Sequence, residues 1–326
     1  MMTENRPLFW IIDEEWPDYK LEEQIIYDEF PTAEIKYSSY DYVNDLKSFG
    51  KNASVIIAQV YADLPKKTII NLNKCRGIAL FGGGYDRVDI VEAAKKEIPV
   101  TNVKNYCKED IAEYVINAIL FSAKPLNEFV KSIFDGKWGF PSINVLPHRI
   151  DEQILLIIGY GRIGSYVAEK ALNMGIKVVA YDPKIEPGNQ NSMGIDFVSL
   201  KEGLKIADFI SIHCNLVKET ENLISKTEFC LMKKNCILIN TARGKIVNEQ
   251  NLIEAVKSKK IRGAILDVIA NEPPLGKPIP ILEEKNIIVT PHISYLSVES
   301  IDELKRRATK NAIDMYNGKI PDDVVN

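Results

Sequence analysis

Histidine is scarce in this chain of 326 residues: 3 are present, His148, His213 and His292, so acid–base chemistry near neutral pH has few places to sit. Charge of one sign is missing too. With 41 Lys and Arg against 45 Asp and Glu, the net charge of −4 offers no basic footprint for nucleic acid. No apolar run approaches the roughly 18 residues of a membrane span. Met1 to Arg6 carries no apolar stretch of the kind that opens a secretion signal. A cytoplasmic protein with neither membrane nor nucleic-acid partner is therefore expected. The 5 cysteines, Cys75, Cys107, Cys214, Cys230 and Cys236, include no C-x-x-C pair, which points to reduced, mostly buried thiols and no metal site. His213 and Cys214 are adjacent, but neighbours on a strand face opposite ways and do not readily converge on one ion or one substrate atom.

What the chain has is a recurring alternation of short apolar runs with helical patterns, the sequence form of parallel sheets covered by helices. Strands are expected near 8–12, 33–37, 54–58, 77–81 and 100–103, and in a second series near 154–158, 178–181, 196–198, 209–213, 237–240, 264–268 and 287–290. A length of 326 residues with 46% apolar content suffices for two cores. Between the series lies an apolar helix over 110–121, expected as a buried crossover. After it comes a polar stretch with glycine and proline over 124–147, too irregular for one element and suited to a partner subunit. An amphipathic helix over 297–316, with Ile301, Leu304, Ala308, Ala312 and Met315 on one face, ends the pattern. The expected division is a first domain built from both chain ends, 1–104 and 297–326, with a second, 105–296, inserted into it. A cleft between two such lobes would bring substrate and cofactor together and exclude water.

Ile154 to Gly164 reads as a buried strand followed by glycines at 159, 161 and 164. Gly159 permits a tight turn, Gly161 lets a pyrophosphate approach the backbone, and Gly164 lets helix and strand pack closely. The helix that follows offers its N-terminal amides to a phosphate. The next strand ends at Asp182, where a carboxylate accepts the ribose hydroxyls of an adenosine and repels the extra phosphate of NADP. NAD is the expected cofactor.

His148 reads as a surface residue and His213 as a packed one. His292 follows Ile287 to Pro291 and so stands at the C-terminal end of a parallel strand, where ligands of open α/β sheets bind. Glu272 leaves the neighbouring strand at the same edge; a carboxylate there would orient the imidazole and favour its charged form. Arg243 leaves another strand at that edge and offers a planar fork matched to a carboxylate, next to a carbonyl it can polarise.

Taken in order, Gly159-Tyr160-Gly161-Arg162-Ile163-Gly164, Asn240-Thr241-Ala242-Arg243-Gly244, Leu266-Asp267-Val268 through Glu272-Pro273, and Thr290-Pro291-His292-Ile293 resemble the signatures of the NAD-dependent D-2-hydroxyacid dehydrogenase family, and the likeness runs over nearly the whole chain. The resemblance implies an α/β protein of two doubly wound parallel-sheet domains, a Rossmann NAD-binding domain inserted into a flavodoxin-like substrate domain. It implies that His292 exchanges a proton with the substrate carbonyl oxygen while hydride passes between nicotinamide and substrate C2, that Glu272 supports His292, and that Arg243 holds the carboxylate. Phe81 to Asp89 is similar to the family's glycine loop, which implies a carboxylate cradle at Gly83 and Gly84 with Gln59 and Tyr61 as a neighbouring wall. It implies cofactor contacts at Tyr160, Gly161, Arg162, Ile163, Asp182, Cys214, Asn215, Thr241, Ala242, Arg243, Asp267, His292 and Ser294. A homodimer joined through the nucleotide domain is implied as well.

The chain departs from the family's pattern in three places. Asn215 stands where proline is common and would loosen the adenine edge; Lys104-Asn105 replaces a proline-containing pair and would alter the hinge. Ser294-Tyr295 replaces alanine-glycine, and Tyr295 either enters the substrate pocket or packs between domains. That pair is similar to the D-lactate dehydrogenase branch, whereas the short connection from Pro273 to Glu284 is similar to the glyoxylate, hydroxypyruvate and phosphoglycerate branches. Two rivals stand beside this reading. Formate dehydrogenases pair their histidine with glutamine, which Glu272 opposes. An NAD(H)-sensing binding protein, akin to corepressors of the same fold, would keep these residues and show little turnover.

Overall fold

Both expected sheets are present, and every pairing between their strands is parallel. The computed structural model describes residues 6–143, 146–274, 276 and 278–326. Met1 to Asn5, read above for a secretion signal, Asn144 and Val145 of the irregular stretch, and Leu275 and Lys277 of the connection from Pro273 to Glu284 lie outside the described residues. The chain divides into two compact units, Met1–Tyr106 with Ser297–Asn326, and Cys107–Leu296.

The first unit contains strands β1 (Leu8–Ile12), β2 (Glu34–Ser38), β3 (Val55–Gln59), β4 (Ile78–Phe81) and β5 (Val100–Thr101), in the order β2-β1-β3-β4-β5. This is the flavodoxin order, with its switch point between β1 and β3. Helices α1 (Lys20–Glu29), α2 (Val43–Ser48), α3 (Lys66–Ile69) and α4 (Ile90–Lys95) connect the strands. The C-terminal helix, Val298–Tyr316, turns Leu304, Ala308, Ala312 and Met315 inward. Residues of β1, β3 and β4 are apolar without alternation because both sheet faces are covered.

The second unit contains β6 (Ile154–Ile158), β7 (Lys177–Tyr181), β8 (Asp196–Phe197), β9 (Phe209–Ile212), β10 (Ile237–Asn240), β11 (Gly263–Leu266) and β12 (Ile287–Val289), in the order β12-β11-β10-β9-β6-β7-β8. This is the Rossmann order extended by one strand, with the switch point between β6 and β9. Its helices are α5 (Lys108–Ala123), α6 (Leu126–Phe134), α7 (Arg162–Asn173), α8 (Leu200–Ile206), α9 (Lys226–Leu231) and α10 (Glu249–Lys257). Among the described residues no helix is long and apolar enough to cross a membrane.

Two boundaries differ from the expectation for a physical reason. β5 stops at Thr101, not at Val103, because Asn102 and Val103 turn their N–H groups to the carbonyls of Asp323 and Gly82, at 3.3 and 2.9 Å. The stretch 124–147 is less irregular than its composition: Leu126–Phe134 forms α6, which places Leu126, Val130, Ile133 and Phe134 on one solvent-facing side. Glycine and proline on either side of so short a helix hide its period.

Candidate active site

The glycine loop after β6 shows which of its glycines the protein itself requires. At Gly159, φ is +94°, and a Cβ would stand 2.7 Å from the Cys214 nitrogen; at Gly164 it would stand 2.1 Å from the Gly159 carbonyl oxygen. At Gly161 a Cβ would meet nothing within 4 Å. The open space lies at the N-terminus of α7, where no side chain caps the first turn, so unpaired amides and the positive end of the helix face it. Asp182, at the end of β7, accepts the Tyr160 amide on Oδ2 and the Lys184 amide on Oδ1, both at 3.0 Å. A carboxylate retains further lone pairs for two ribose hydroxyls. Thr241, just past β10, has a buried hydroxyl with no hydrogen-bond partner among the described residues. The open space beside Gly161, a fixed carboxylate and an orphaned hydroxyl at one sheet edge fit NAD.

The flanking residues are held by the chain itself. Tyr160 accepts a hydrogen bond from Asn191 Nδ2 at 2.7 Å, and its ring meets Phe197 edge-on at 5.1 Å. Burial pushes the Cys214 thiol up to about 11, so it remains protonated and unreactive beside the loop. The Asn215 carbonyl accepts the Thr220 hydroxyl at 2.6 Å. Arg162 is exposed and Ile163 half-buried. His213 is bonded through Nε2 to Ser211 Oγ at 2.8 Å, and burial depresses it to about 3, so its ring is neutral. His148 is exposed.

β10, β11 and β12 are neighbours in the sheet, so Arg243, Glu272 and His292 all leave at one edge. The structure brings Glu272 and His292 together: Nδ1 of the imidazole lies 2.8 Å from Glu272 Oε2, with both side chains largely shielded from solvent. Glu272 Oε1 accepts the Ile269 amide at 2.5 Å, which fixes the second oxygen. His292 has φ +55°, a left-handed conformation that costs a residue with a Cβ about 1–3 kcal/mol. Asp267 holds it there. Its Oδ1 accepts Thr290 Oγ1 at 2.5 Å and the Ile293 amide at 2.9 Å, and its Oδ2 accepts the Ser294 amide at 2.7 Å. Three bonds to a buried carboxylate, each about 1.5–3 kcal/mol, outweigh the strain.

Arg243 is oriented by its own strand end: Asn240 donates to the Arg243 carbonyl at 2.9 Å and accepts the Ala242 amide at 3.0 Å, while the guanidinium donates to the Ala242 carbonyl at 2.7 Å. A Cβ on Gly244 would fall 1.9 Å from the carbonyl carbon of Ile269, so this peptide lies against the turn that carries Glu272. Tyr295 places its ring 6.4 Å from the His292 ring, edge to face.

In the first unit, Gly82 has φ +151°, and Gly83 and Gly84 follow it past the end of β4. Gln59, at the end of β3, accepts the Val60 amide at 2.9 Å, and its buried Nε2 has no hydrogen-bond partner among the described residues. The Tyr61 carbonyl accepts Arg87 at 3.3 Å, and its ring lies 6.3 Å from Tyr40. Three supporting residues escape the sequence reading: Tyr114, bonded to the Thr290 hydroxyl at 2.6 Å, Glu249, bonded to the Ala270 amide at 2.5 Å, and Asn191. Nothing local to these residues marks them, since each acts on a distant segment.

The sequence profile described as D-isomer specific 2-hydroxyacid dehydrogenase, NAD binding domain, matches residues 116–294. A glyoxylate reductase of Thermococcus litoralis is 33% identical over 281 residues, 85% of this chain and 84% of the relative. A hydroxypyruvate reductase of Blautia hydrogenotrophica is 33% identical over 272 residues, 81% and 82% of the two chains. Among solved structures, D-lactate dehydrogenase from Aquifex aeolicus, complexed with NAD and lactic acid, matches with a TM-score of 0.83 and 28% identity over 95% of this chain and 96% of that one. The chain belongs to the D-isomer-specific 2-hydroxyacid dehydrogenase family and is an NAD-dependent oxidoreductase of 2-hydroxy and 2-oxo acids.

Proposed function

We propose that the protein interconverts a short 2-oxo acid and its D-2-hydroxy acid, with His292 as general acid and base, Glu272 orienting it, and Arg243 engaging the substrate carboxylate and carbonyl. The 2.8 Å contact between His292 Nδ1 and Glu272 Oε2 carries this reading. With Nδ1 given to the carboxylate, proton exchange with substrate runs through Nε2. In the reducing direction His292 protonates the carbonyl oxygen and the guanidinium stabilises the charge that builds on it. Bound NADH supplies the hydride that reaches C2. Asp182 would engage the adenosine ribose, Tyr160 to Ile163 would hold the pyrophosphate, Cys214 and Asn215 would border the adenosine, and Thr241, Ala242, Asp267 and Ser294 would border the nicotinamide. Asp267 serves chiefly by holding the segment 290–294, since both its oxygens already accept protein donors.

Gly83 and Gly84 offer backbone amides to the substrate carboxylate, with Gln59 and Tyr61 nearby in the same unit. Tyr295 borders the substrate, a role supported by its contact with the His292 ring. Glyoxylate, hydroxypyruvate and pyruvate are the first candidates, from the names of the relatives. A homodimer through the second unit is part of the same reading. It is supported by the apolar side of α6, continued by Trp138 and Phe140, with Phe134 86% and Trp138 82% exposed.

NADH oxidation with a panel of 2-oxo acids, with chiral analysis of the product, tests the activity. His292→Ala should abolish turnover and leave NADH binding nearly intact. Cofactor binding without turnover on any member of the panel would instead favour the NAD(H)-sensing alternative.

A further inference from the structure

Asn102 stands one residue past β5 and is buried, yet its side chain serves no strand. Its Nδ2 donates to the Gly83 carbonyl at 2.7 Å, and the next residue, Val103, donates its amide to the Gly82 carbonyl at 2.9 Å. Both carbonyls of the glycine loop are thus drawn to one side. Among the described residues, neither the Gly83 nor the Gly84 amide donates to a protein acceptor. A peptide plane whose oxygen is fixed presents its N–H on the opposite side, so the Asn102 bond to the Gly83 carbonyl aims the Gly84 amide, and the Val103 bond to the Gly82 carbonyl aims the Gly83 amide.

Asn102 is itself held from the far end of the chain. Its amide donates to the Asp323 carbonyl at 3.3 Å, and its carbonyl accepts Asn311 Nδ2 at 3.4 Å. Asn311 also reaches Asp323 Oδ2 at 3.3 Å, and Arg307 grips both oxygens of Asp323 at 3.1 and 2.9 Å. We infer that Asn102, braced by Asp323, Asn311 and Arg307, is a positioning residue that orients the Gly84 amide toward the substrate carboxylate, beside the Gly83 amide that Val103 orients. The inference rests on the reading of those amides as the carboxylate cradle.

The test compares full-length Asn102→Asp, Asn102→Ala and Gly84→Pro enzymes. Asn102→Asp keeps the shape and turns a donor into an acceptor facing the Gly83 carbonyl; Gly84→Pro deletes one cradle amide. For the 2-oxo acid selected by the panel, both Asn102 variants should raise KM about tenfold with kcat within about twofold, the loss expected for one misdirected hydrogen bond. The dissociation constant of oxamate from the enzyme–NADH complex should rise in parallel, and KM for NADH should not change. A role confined to folding would not separate KM from kcat in this way. Unchanged KM and oxamate affinity in the Asn102 variants, with Gly84→Pro impaired, overturns the role of Asn102 alone; an unimpaired Gly84→Pro overturns the cradle beneath it. Should the Asn102 variants not fold, Asp323→Asn carries the test, and an unchanged KM there overturns the inference.

Discussion

Glu249 Oε1 accepts the amide of Ala270 at 2.5 Å, two residues before Glu272, so a carboxylate at the first residue of α10 fixes the turn that presents the partner of His292. Glu249→Ala should lower kcat about tenfold while NADH affinity stays within about twofold, because the hydrogen bond it removes positions chemistry and not cofactor. Glu249→Gln retains an acceptor and should recover most of the rate. Steady-state kinetics with direct NADH titration checks both; equal damage in the two variants would count against a positioning role.

Arg243 is held through the Asn240 side chain and the Ala242 carbonyl, so its fork is set before substrate arrives. Arg243→Ala should raise KM for the 2-oxo acid and lower kcat together. Arg243→Lys should rescue little, since an ammonium does not reproduce the planar two-point contact. Initial-rate measurements on the three enzymes decide this, and a lysine variant near wild type would remove the fork from the argument.

Asp182 already accepts the Tyr160 and Lys184 amides, which hold its carboxylate in place for the proposed ribose contact. The wild-type enzyme should prefer NADH over NADPH by at least about tenfold. Asp182→Ser should narrow that ratio and weaken NADH as well, because the Tyr160 amide loses its partner. The ratio of kcat/KM for the two cofactors is the readout.

His213 is depressed by burial to about 3, below its ordinary value of about 6.5. Between those values the unfolded chain binds a proton that the folded one refuses. The contribution is therefore intact above about pH 6.5 and is lost as pH falls toward the folded value. His213→Gln keeps a polar partner for Ser211 and removes the titration. Urea unfolding at about pH 7 and about pH 5 should show a smaller loss of stability for the variant than for wild type.

Phe134 and Trp138 stand exposed on the second unit. A Phe134→Glu, Trp138→Glu double variant should convert a dimer to a monomer in light scattering at micromolar concentration, with the far-ultraviolet dichroism unchanged. A wild-type monomer at the same concentration would remove the dimer from the proposal.

Much of the fold was legible because strands covered on both faces are continuous apolar runs between turn residues, as Leu155 to Ile158 and Ile237 to Ile239 illustrate. The pairing of His292 with Glu272 was legible because both follow strands of a parallel series, whose C-terminal ends share one edge. What stayed hidden depends on side chains crossing between segments. Tyr114 reaches Thr290 across 176 positions and Glu249 reaches Ala270 across 21, and no pattern of spacing reports such pairs. The clamp formed by Asp267 was hidden too, since the family resemblance implies a cofactor contact at this carboxylate and does not reveal which amides have already claimed it.

Gly244 sits flush against the Ile269 peptide. Arg243 on one strand end and Glu272, the partner of His292, on the next therefore advance or retreat as a single piece. A side chain of any size at 244 would wedge them apart, and adaptation to a bulkier acid is thereby channelled elsewhere, to positions such as Tyr295, whose ring meets that of His292 without fastening either strand end.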